Sequence, residues 1–260
     1  TDQFVKGADV SWLTQMEHEG KKFYTKEGKD SECMSLLKEL GTNAIRLRVW
    51  VNPSNGWCGK EDVVNKAVRA AKLGMRIMID FHYSDSWADP SKQFVPQAWK
   101  DFSYDEMKKA VSAHTIDVLS ALKEADVTPE WVQIGNETSD GMLWDMGKAS
   151  LNPDLYAGLH NAGYDAAKSV FPNTKVMVHI DNGYDSSRNW LVATLKENGG
   201  KFDMIGVSHY PVYAVSEGKF KTWKSCNDKL IANIRTLINT FDADVMVVEF
   251  GYAVSEAGDG

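Results

Sequence analysis

The sequence predicts an α/β protein, a closed (β/α)8 TIM barrel, on three observations. Seven short apolar or β-branched runs alternate with segments of helical periodicity. The stretches between successive runs are long enough for the crossovers that parallel strands require, and too long for hairpins. Neither phosphate-cradling glycine pattern of an open, doubly wound sheet occurs: the turn after the first run, "GADVSWL", lacks G-x-G-x-x-G, and no G-x-x-x-x-G-K-[ST] is found.

In chain order the strands are "FVKGADVS", "TNAIRLRVW", "GMRIMIDFHYSD", "EWVQIGNE", "TKVMVHIDNG", "FDMIGVSHYP" and "DVMVVEFGY". Helical patterns fill the connections, including "DSECMSLLKELG", "EDVVNKAVRAAKLG", "YDEMKKAVSAHTIDVLSALKEA", "PDLYAGLHNAGYDAAKSVF" and "NDKLIANIRTLINTF". No Pro- or Ser-rich linker interrupts the series, so one catalytic barrel over residues 1–260 is expected. The eighth strand is not visible in the sequence. A barrel open there would expose the edges of strands one and seven, which proteins avoid, so a continuation beyond Gly260 is expected.

Composition narrows the function classes. The chain is 43% hydrophobic and 25% charged, which suits a globular protein rather than a disordered one. Its longest apolar runs, such as "RIMIDF" and "VMVVEF", fall far short of the ~20 residues of a membrane helix. No leader pattern opens the chain at Thr1, in keeping with a signal peptide already removed. With net charge -7 and scattered Lys and Arg, a nucleic-acid partner is not expected. Cys33, Cys58 and Cys226 are odd in number and lack C-x-x-C spacing, so they read as buried or incidental thiols.

In a barrel of this kind the active site lies at the C-terminal ends of the strands. There strand two offers Arg46, Arg48 and Trp50; strand three Asp80, His82 and Asp85; strand four Asn136 and Glu137. Strand five offers His179, Asp181 and Asn182, strand six His209 and Tyr210, and strand seven Glu249. The strand-end histidines with Asp80 or Asp181 would satisfy zinc chemically, but strand one lacks the H-x-H pair common in barrel metallohydrolases, so no metal ligands are assigned. His114 falls on the helical stripe of Met107, Ala110, Val111 and Val118 and reads as a packing residue.

Glu137 and Glu249 carry the chemistry. Strands four and seven face each other across the mouth of an eight-stranded ring. Two carboxyl groups so placed suit glycoside hydrolysis, with retention at about 5–5.5 Å separation and inversion at about 6.5–9.5 Å. A single Glu at a strand end reads most simply as a solvated rim charge; two facing each other, with basic and amide partners on the expected strands, do not. The apolar strand behind Glu137 would desolvate it and raise its pKa, which suits a proton donor. A cation at Arg46 or Arg48 and the Tyr210 hydroxyl suit a carboxylate nucleophile at Glu249.

These blocks resemble glycoside hydrolase family 53, the endo-β-1,4-galactanases of clan A. The likeness runs from "KGADVSWL" through "LGTNAIRLRVW", "DFHYSDSWADP", "QAWKDF", "VQIGNETSDGMLW", "HIDNG" and "HYP" to "VVEFGYA", nearly the whole chain. It implies Glu137 as general acid/base and Glu249 as nucleophile, with Arg46 or Arg48 and Tyr210 holding the nucleophile. His82, Asn136 and His209 would surround the sugar at the cleavage point, and a galactan polysaccharide would be the substrate. With the substrate comes an extracellular or cell-envelope location; a monomer is expected. Trp50, Trp57, Trp87 and Trp144, in post-strand loops, read as sugar platforms, and Asp85, Asp181 and Asn182 join the substrate-binding candidates; Trp131 and Trp223 read as packing residues.

Two departures qualify the resemblance. Phe250 follows the nucleophile position where many relatives carry a small polar residue, and the eighth strand that in this clan supplies an aromatic floor is not visible. No cofactor is required; the tail "SEAGDG" leaves a structural calcium of some bacterial relatives open. The sequon Asn136-Glu137-Thr138 overlaps the acid/base and reads as coincidence. The competing readings are a clan A glycosidase of another β-1,4-linked polysaccharide and a sugar-binding barrel without turnover, the second opposed by the presence of both glutamates.

Overall fold

A computed structural model describes residues 3–252. The seven expected strands form one parallel sheet in sequential order: β1 (Gly7–Asp9), β2 (Ala44–Val49), β3 (Arg76–Phe81), β4 (Trp131–Ile134), β5 (Lys175–Ile180), β6 (Met204–His209) and β7 (Asp244–Phe250). The sheet curls toward closure with helices outside it. Among the described residues β1 and β7 are its margins and no eighth strand joins them. The tail "SEAGDG", on which the calcium question fell, lies outside the described residues.

Helices α1 (Leu13–His18), α2 (Cys33–Glu39), α3 (Lys60–Lys72), α4 (Tyr104–Glu124), α5 (Pro153–Val170), α6 (Asn189–Glu197), α7 (Pro211–Ser216) and α8 (Trp223–Phe241) occupy the connections. Their ends follow local chemistry: Ser103 and Glu106 make a reciprocal capping box on α4, Pro153 opens α5, and Asp242 closes α8 in a left-handed conformation. The sequence pattern shows neither the short α1 and α7 nor a small antiparallel pair, Phe23–Tyr24 with Asp30–Ser31. Elements of one or two turns carry too few residues for a 3.6-residue period to stand out.

Strand alternation sorts side chains into two sets. Ile45, Leu47, Val49, Ile77, Ile79, Phe81, Val132 and Ile134 pack outward under the helices. The other parity fills the interior: Ala44, Met78, Trp131, Met177 and Met204 form an apolar layer with Val5, Met246 and Val248 against it. Above that layer sit Arg46, Asp80, Gln133 and His179, all buried. One expectation fails outside the barrel: Trp223 is not a packing residue but is 53% exposed, because it is the first residue of α8 and projects beside Pro211, Phe250 and Tyr252.

Glu249 reaches the mouth through a β-bulge. Gly206 pairs with Met246 and Val207 with Val247, but Ser208 pairs with Glu249, so Val248 is an extra residue in β7. Without it Glu249 would share the parity of Val245, which packs outward against the helices. The bulge brings Glu249 level with inward-facing Ser208, a common use of bulges beside functional sites.

Candidate active site

The polar layer is organised by Arg46. Its Nη2 lies 2.9 Å from Asp80 Oδ2 and donates to Gln133 Oε1, Asn136 Oδ1 and Glu249 Oε1, each at 3.0 Å. Its Nη1 donates to Asp9 Oδ2 at 3.1 Å. Although burial works against its charge, its pKa is raised, because the charges of Asp80, Glu249 and Asp9 outweigh desolvation. A cation so buried is tolerated because it is paired and hydrogen-bonded on several sides.

The neighbours fix one another's orientation. His82 Nδ1 accepts from Trp50 Nε1 at 3.1 Å and from the Ala88 amide at 3.2 Å, so its proton is on Nε2, which donates to Asp80 Oδ2 at 3.1 Å. Asn136 Nδ2 donates to the Ala88 carbonyl at 2.7 Å, and Gln93 Nε2 donates to the Asn136 carbonyl at 2.9 Å. Tyr210, ahead of α7, donates its hydroxyl to Glu249 Oε2 at 2.7 Å. Both oxygens of Glu249 thus accept a hydrogen bond, one from a guanidinium and one from a phenol.

Glu137 is held differently. It follows the turn made by Gly135 (φ 82), where a Cβ would clash with Thr138. Glu137 itself has φ 46, a left-handed conformation unusual for a non-glycine residue, of the kind retained at functional sites when surrounding bonds impose it. Its amide donates to His179 Nδ1 and the Thr138 amide donates to the His179 carbonyl, each at 2.9 Å. Burial pushes the Glu137 carboxyl up to about 8, helped by the charges of Glu249 and Asp181 and opposed by a hydrogen bond from Ser208 and the charge of Arg46.

A cleft of about 370 Å³ opens between the sheet margins, lined at the mouth by Arg46, Arg48, His82, Trp87, Asn136, Tyr210 and Glu249, and deeper by Trp131 and Met246. Glu137 is not part of that wall, yet it stands close enough to Glu249 for the two charges to act on each other. Of the two arginines offered to Glu249, only Arg46 bonds it. The Arg48 guanidinium is 4.1 Å from the ring centre of Trp87, 5.1 Å from Trp50 and 5.3 Å from Trp12. Trp12 was not a candidate, because it follows strand one in a loop without polar signals.

Several candidates are spent elsewhere. His209 shares the parity of Ile205 and Val207, so it turns from the mouth and its Nε2 meets Asn227 Oδ1 of α8 at 2.6 Å. Asp85 accepts from the backbone amides of Asn52 and Gln97 at 3.0 and 2.9 Å, joining two loops. Asp181 bonds Ser139 and pairs with Arg188 at 3.0 Å, while Asn182 occupies a left-handed turn position. None of these four lines the cleft, nor do Trp50, Trp57 and Trp144. Trp144 donates to the Asp140 carbonyl at 2.8 Å, and Trp57 lies against His18. Ser208, Gln133 and Asp9 were missed; strict alternation along "MIGVSH" points to Ser208 rather than His209. Among the described residues no group of three or more His, Cys, Asp or Glu side chains is placed to hold a metal.

A carboxyl that keeps its proton near neutral pH, beside a second carboxyl whose oxygens are held by donors, can protonate a leaving oxygen while the other group attacks the carbon it leaves. Comparison with known proteins follows the same direction. The family model "Glycosyl hydrolase family 53" matches residues 5–260. A Niallia circulans protein described as uncharacterized, from the bgaB 5′ region, is 38% identical over 96% of this chain and 68% of its own length. A probable arabinogalactan endo-β-1,4-galactanase A of Neosartorya fischeri is 34% identical over 96% of this chain and 70% of its own. The solved GH53 catalytic domain of Ignisphaera aggregans superposes with TM-score 0.88 at 35% identity, covering 99% of this chain and 71% of that one.

Proposed function

The chain belongs to glycosyl hydrolase family 53, and we propose that it cuts β-1,4-galactosidic bonds within galactan chains by two displacements at Glu137 and Glu249. The observation that carries the mechanism is the unequal pair itself: Glu137 desolvated and proton-bearing, Glu249 bonded through both oxygens to Arg46 and Tyr210. The substrate follows from the names of the relatives, among them a probable arabinogalactan endo-β-1,4-galactanase.

In the first displacement a Glu249 oxygen attacks the anomeric carbon, the glycosidic C–O bond breaks, and the Glu137 proton passes to the departing oxygen. Glu137, now a carboxylate, takes a proton from water as that water attacks the same carbon and releases Glu249. The double inversion retains configuration. Arg46 and Tyr210 keep the Glu249 oxygens aimed throughout, and no cofactor enters either step. Trp87, exposed at the cleft wall, offers a face for a sugar ring. A polymer substrate places the reaction outside the cytoplasm, where an intact chain can reach the cleft.

Incubation with galactan, xylan, mannan and cellulose tests the reading. Galactan is expected to yield short galacto-oligosaccharides early, with retained anomeric configuration at the cut. Galactan left intact while another polymer is cut would replace the substrate, and an inverted first product would replace the mechanism.

A further inference from the structure

One side chain touches the holders of both glutamates, and no step above uses it. Gln133 stands on β4 level with Asp80 of β3 and shares the parity of Trp131, so it faces the barrel interior, where it is fully buried. The orientation of its amide is forced. A guanidinium can only donate, so the atom 3.0 Å from Arg46 Nη2 is the oxygen, Oε1. The other atom lies 2.9 Å from the Gly135 carbonyl, which can only accept, and is therefore the nitrogen, Nε2. The same nitrogen is 2.6 Å from Asp80 Oδ1, 2.9 Å from His179 Nδ1 and 3.2 Å from Asn136 Oδ1. His179 Nδ1 also accepts the Glu137 amide at 2.9 Å, so the ring carries its proton on Nε2, 2.8 Å from Ser208 Oγ.

The stretch that Gln133 reaches is strained. Gly135 and Glu137 are both left-handed, and at Glu137 that conformation persists only where surrounding bonds impose it. On its outer side the turn is held by Gln93, which donates to the Asn136 carbonyl at 2.9 Å, and by the Thr138 amide on the His179 carbonyl. Gln133 braces the inner side. It bonds the first carbonyl of the turn and steadies the imidazole that takes the Glu137 amide, while its oxygen ties this brace to the guanidinium that holds Glu249.

We propose that Gln133 is a positioning residue for the acid/base: it braces residues 135–137 against Arg46, so that the Glu137 carboxyl meets the departing oxygen in register with Glu249. The other groups of the site do not depend on it. Glu249 keeps Arg46 and Tyr210, and Asn136 keeps Arg46 on its oxygen and the Ala88 carbonyl on its nitrogen. Loss of Gln133 therefore falls on proton delivery and spares nucleophilic attack. Misplacing a catalytic group by about 1 Å can cost roughly a hundredfold in rate.

The proposal rests on the reading of Glu137 as the acid/base, so the two are tested side by side. Galactobiose is supplied with two leaving groups, 2,4-dinitrophenyl, which departs without a proton, and phenyl, which needs one. For wild type, Glu137→Ala, Gln133→Met and Gln133→Glu, kcat/KM is measured, since it reports the step in which the leaving group departs. Gln133→Glu keeps the shape and the Arg46 bond but not the amide hydrogens. Both Gln133 variants are expected to lose about tenfold or more on the phenyl glycoside and less than about threefold on the dinitrophenyl one. A merely structural defect lowers both alike. Equal losses in the Gln133 variants, or none, overturn the inference when Glu137→Ala shows the split; equal losses in Glu137→Ala itself count against Glu137 as the acid/base. Should both Gln133 variants fail to fold, or neither glycoside be cut, nitrogen-15 NMR of the wild-type protein decides. A His179 ring protonated on Nε2 alone, with a Gln133 side-chain amide protected from exchange, supports the brace. A proton on His179 Nδ1, or a Gln133 amide exchanging as fast as an exposed one, overturns it.

Discussion

At the end of β4, Glu137 sits where burial and two like charges work against its ionised form. At the end of β7, Glu249 accepts from a guanidinium at 3.0 Å and a phenol at 2.7 Å. The backbones differ as well. Glu137 is aimed by a left-handed turn pinned to β5, and Glu249 by one extra residue in its strand. The same side chain at equivalent places in one sheet thus acquires two characters, and the difference comes from the partners each strand end is given rather than from the residue.

Breaking the β7 side outright gives the largest expected effect. Glu249→Ala should lower kcat on galactan more than about a thousandfold, as loss of a covalent catalyst does. Added azide should restore turnover with an inverted glycosyl azide, detectable by proton NMR. Unchanged kcat would remove Glu249 from the chemistry.

Removing the cation that serves the β7 end tests the shared layer. Arg46→Ala leaves Asp80 and Glu249 without their buried partner and should destabilise the protein by about 3–5 kcal/mol, measured by urea unfolding. A loss below about 1 kcal/mol would mean that the layer does not depend on Arg46.

The β4 side makes a prediction about pH. Glu137 binds its proton more tightly folded than unfolded, so between about pH 4.5 and 8 the folded state holds more protons and stability falls as pH rises. Glu137→Gln, which imitates the protonated form, should match wild type below pH 4.5 and gain roughly 4 kcal/mol by pH 8. A thermal-melting difference that stays flat across this window would contradict the environment described for Glu137.

The smallest effect sharpens the contrast. Tyr210→Phe removes one of the two donors to Glu249 and should cost roughly tenfold in kcat/KM with little change in melting temperature. The basic limb of the pH profile should stay near its wild-type place, because the proposed mechanism assigns that limb to Glu137.

The strands, their order and their parallel pairing were legible because each run is apolar, β-branched and followed by a long helical pattern. The site was legible where residue type and strand end coincide, as at Arg46, His82, Asn136, Glu137, Tyr210 and Glu249. His209 misled because a histidine at a strand end looks available, whereas alternation from Met204 turns it toward α8 and leaves Ser208 facing inward. The bulge at Val248 has no sequence mark, since "VMVVEF" reads as an unbroken strand. Asp85 and Asp181 are chemically suitable, and only coordinates reveal that loop amides, Ser139 and Arg188 already occupy them.

The division of labour between the two glutamates is tested most directly by trapping the covalent intermediate. The protein is treated with a galacto-oligosaccharide that carries fluorine at C2 of the reacting sugar and an activated leaving group, digested, and its peptides weighed. A single glycosyl unit on the peptide containing Glu249, with Glu137 unlabelled, is the predicted result. A label on any other side chain would contradict the account, as would turnover to an inverted product with no labelled peptide.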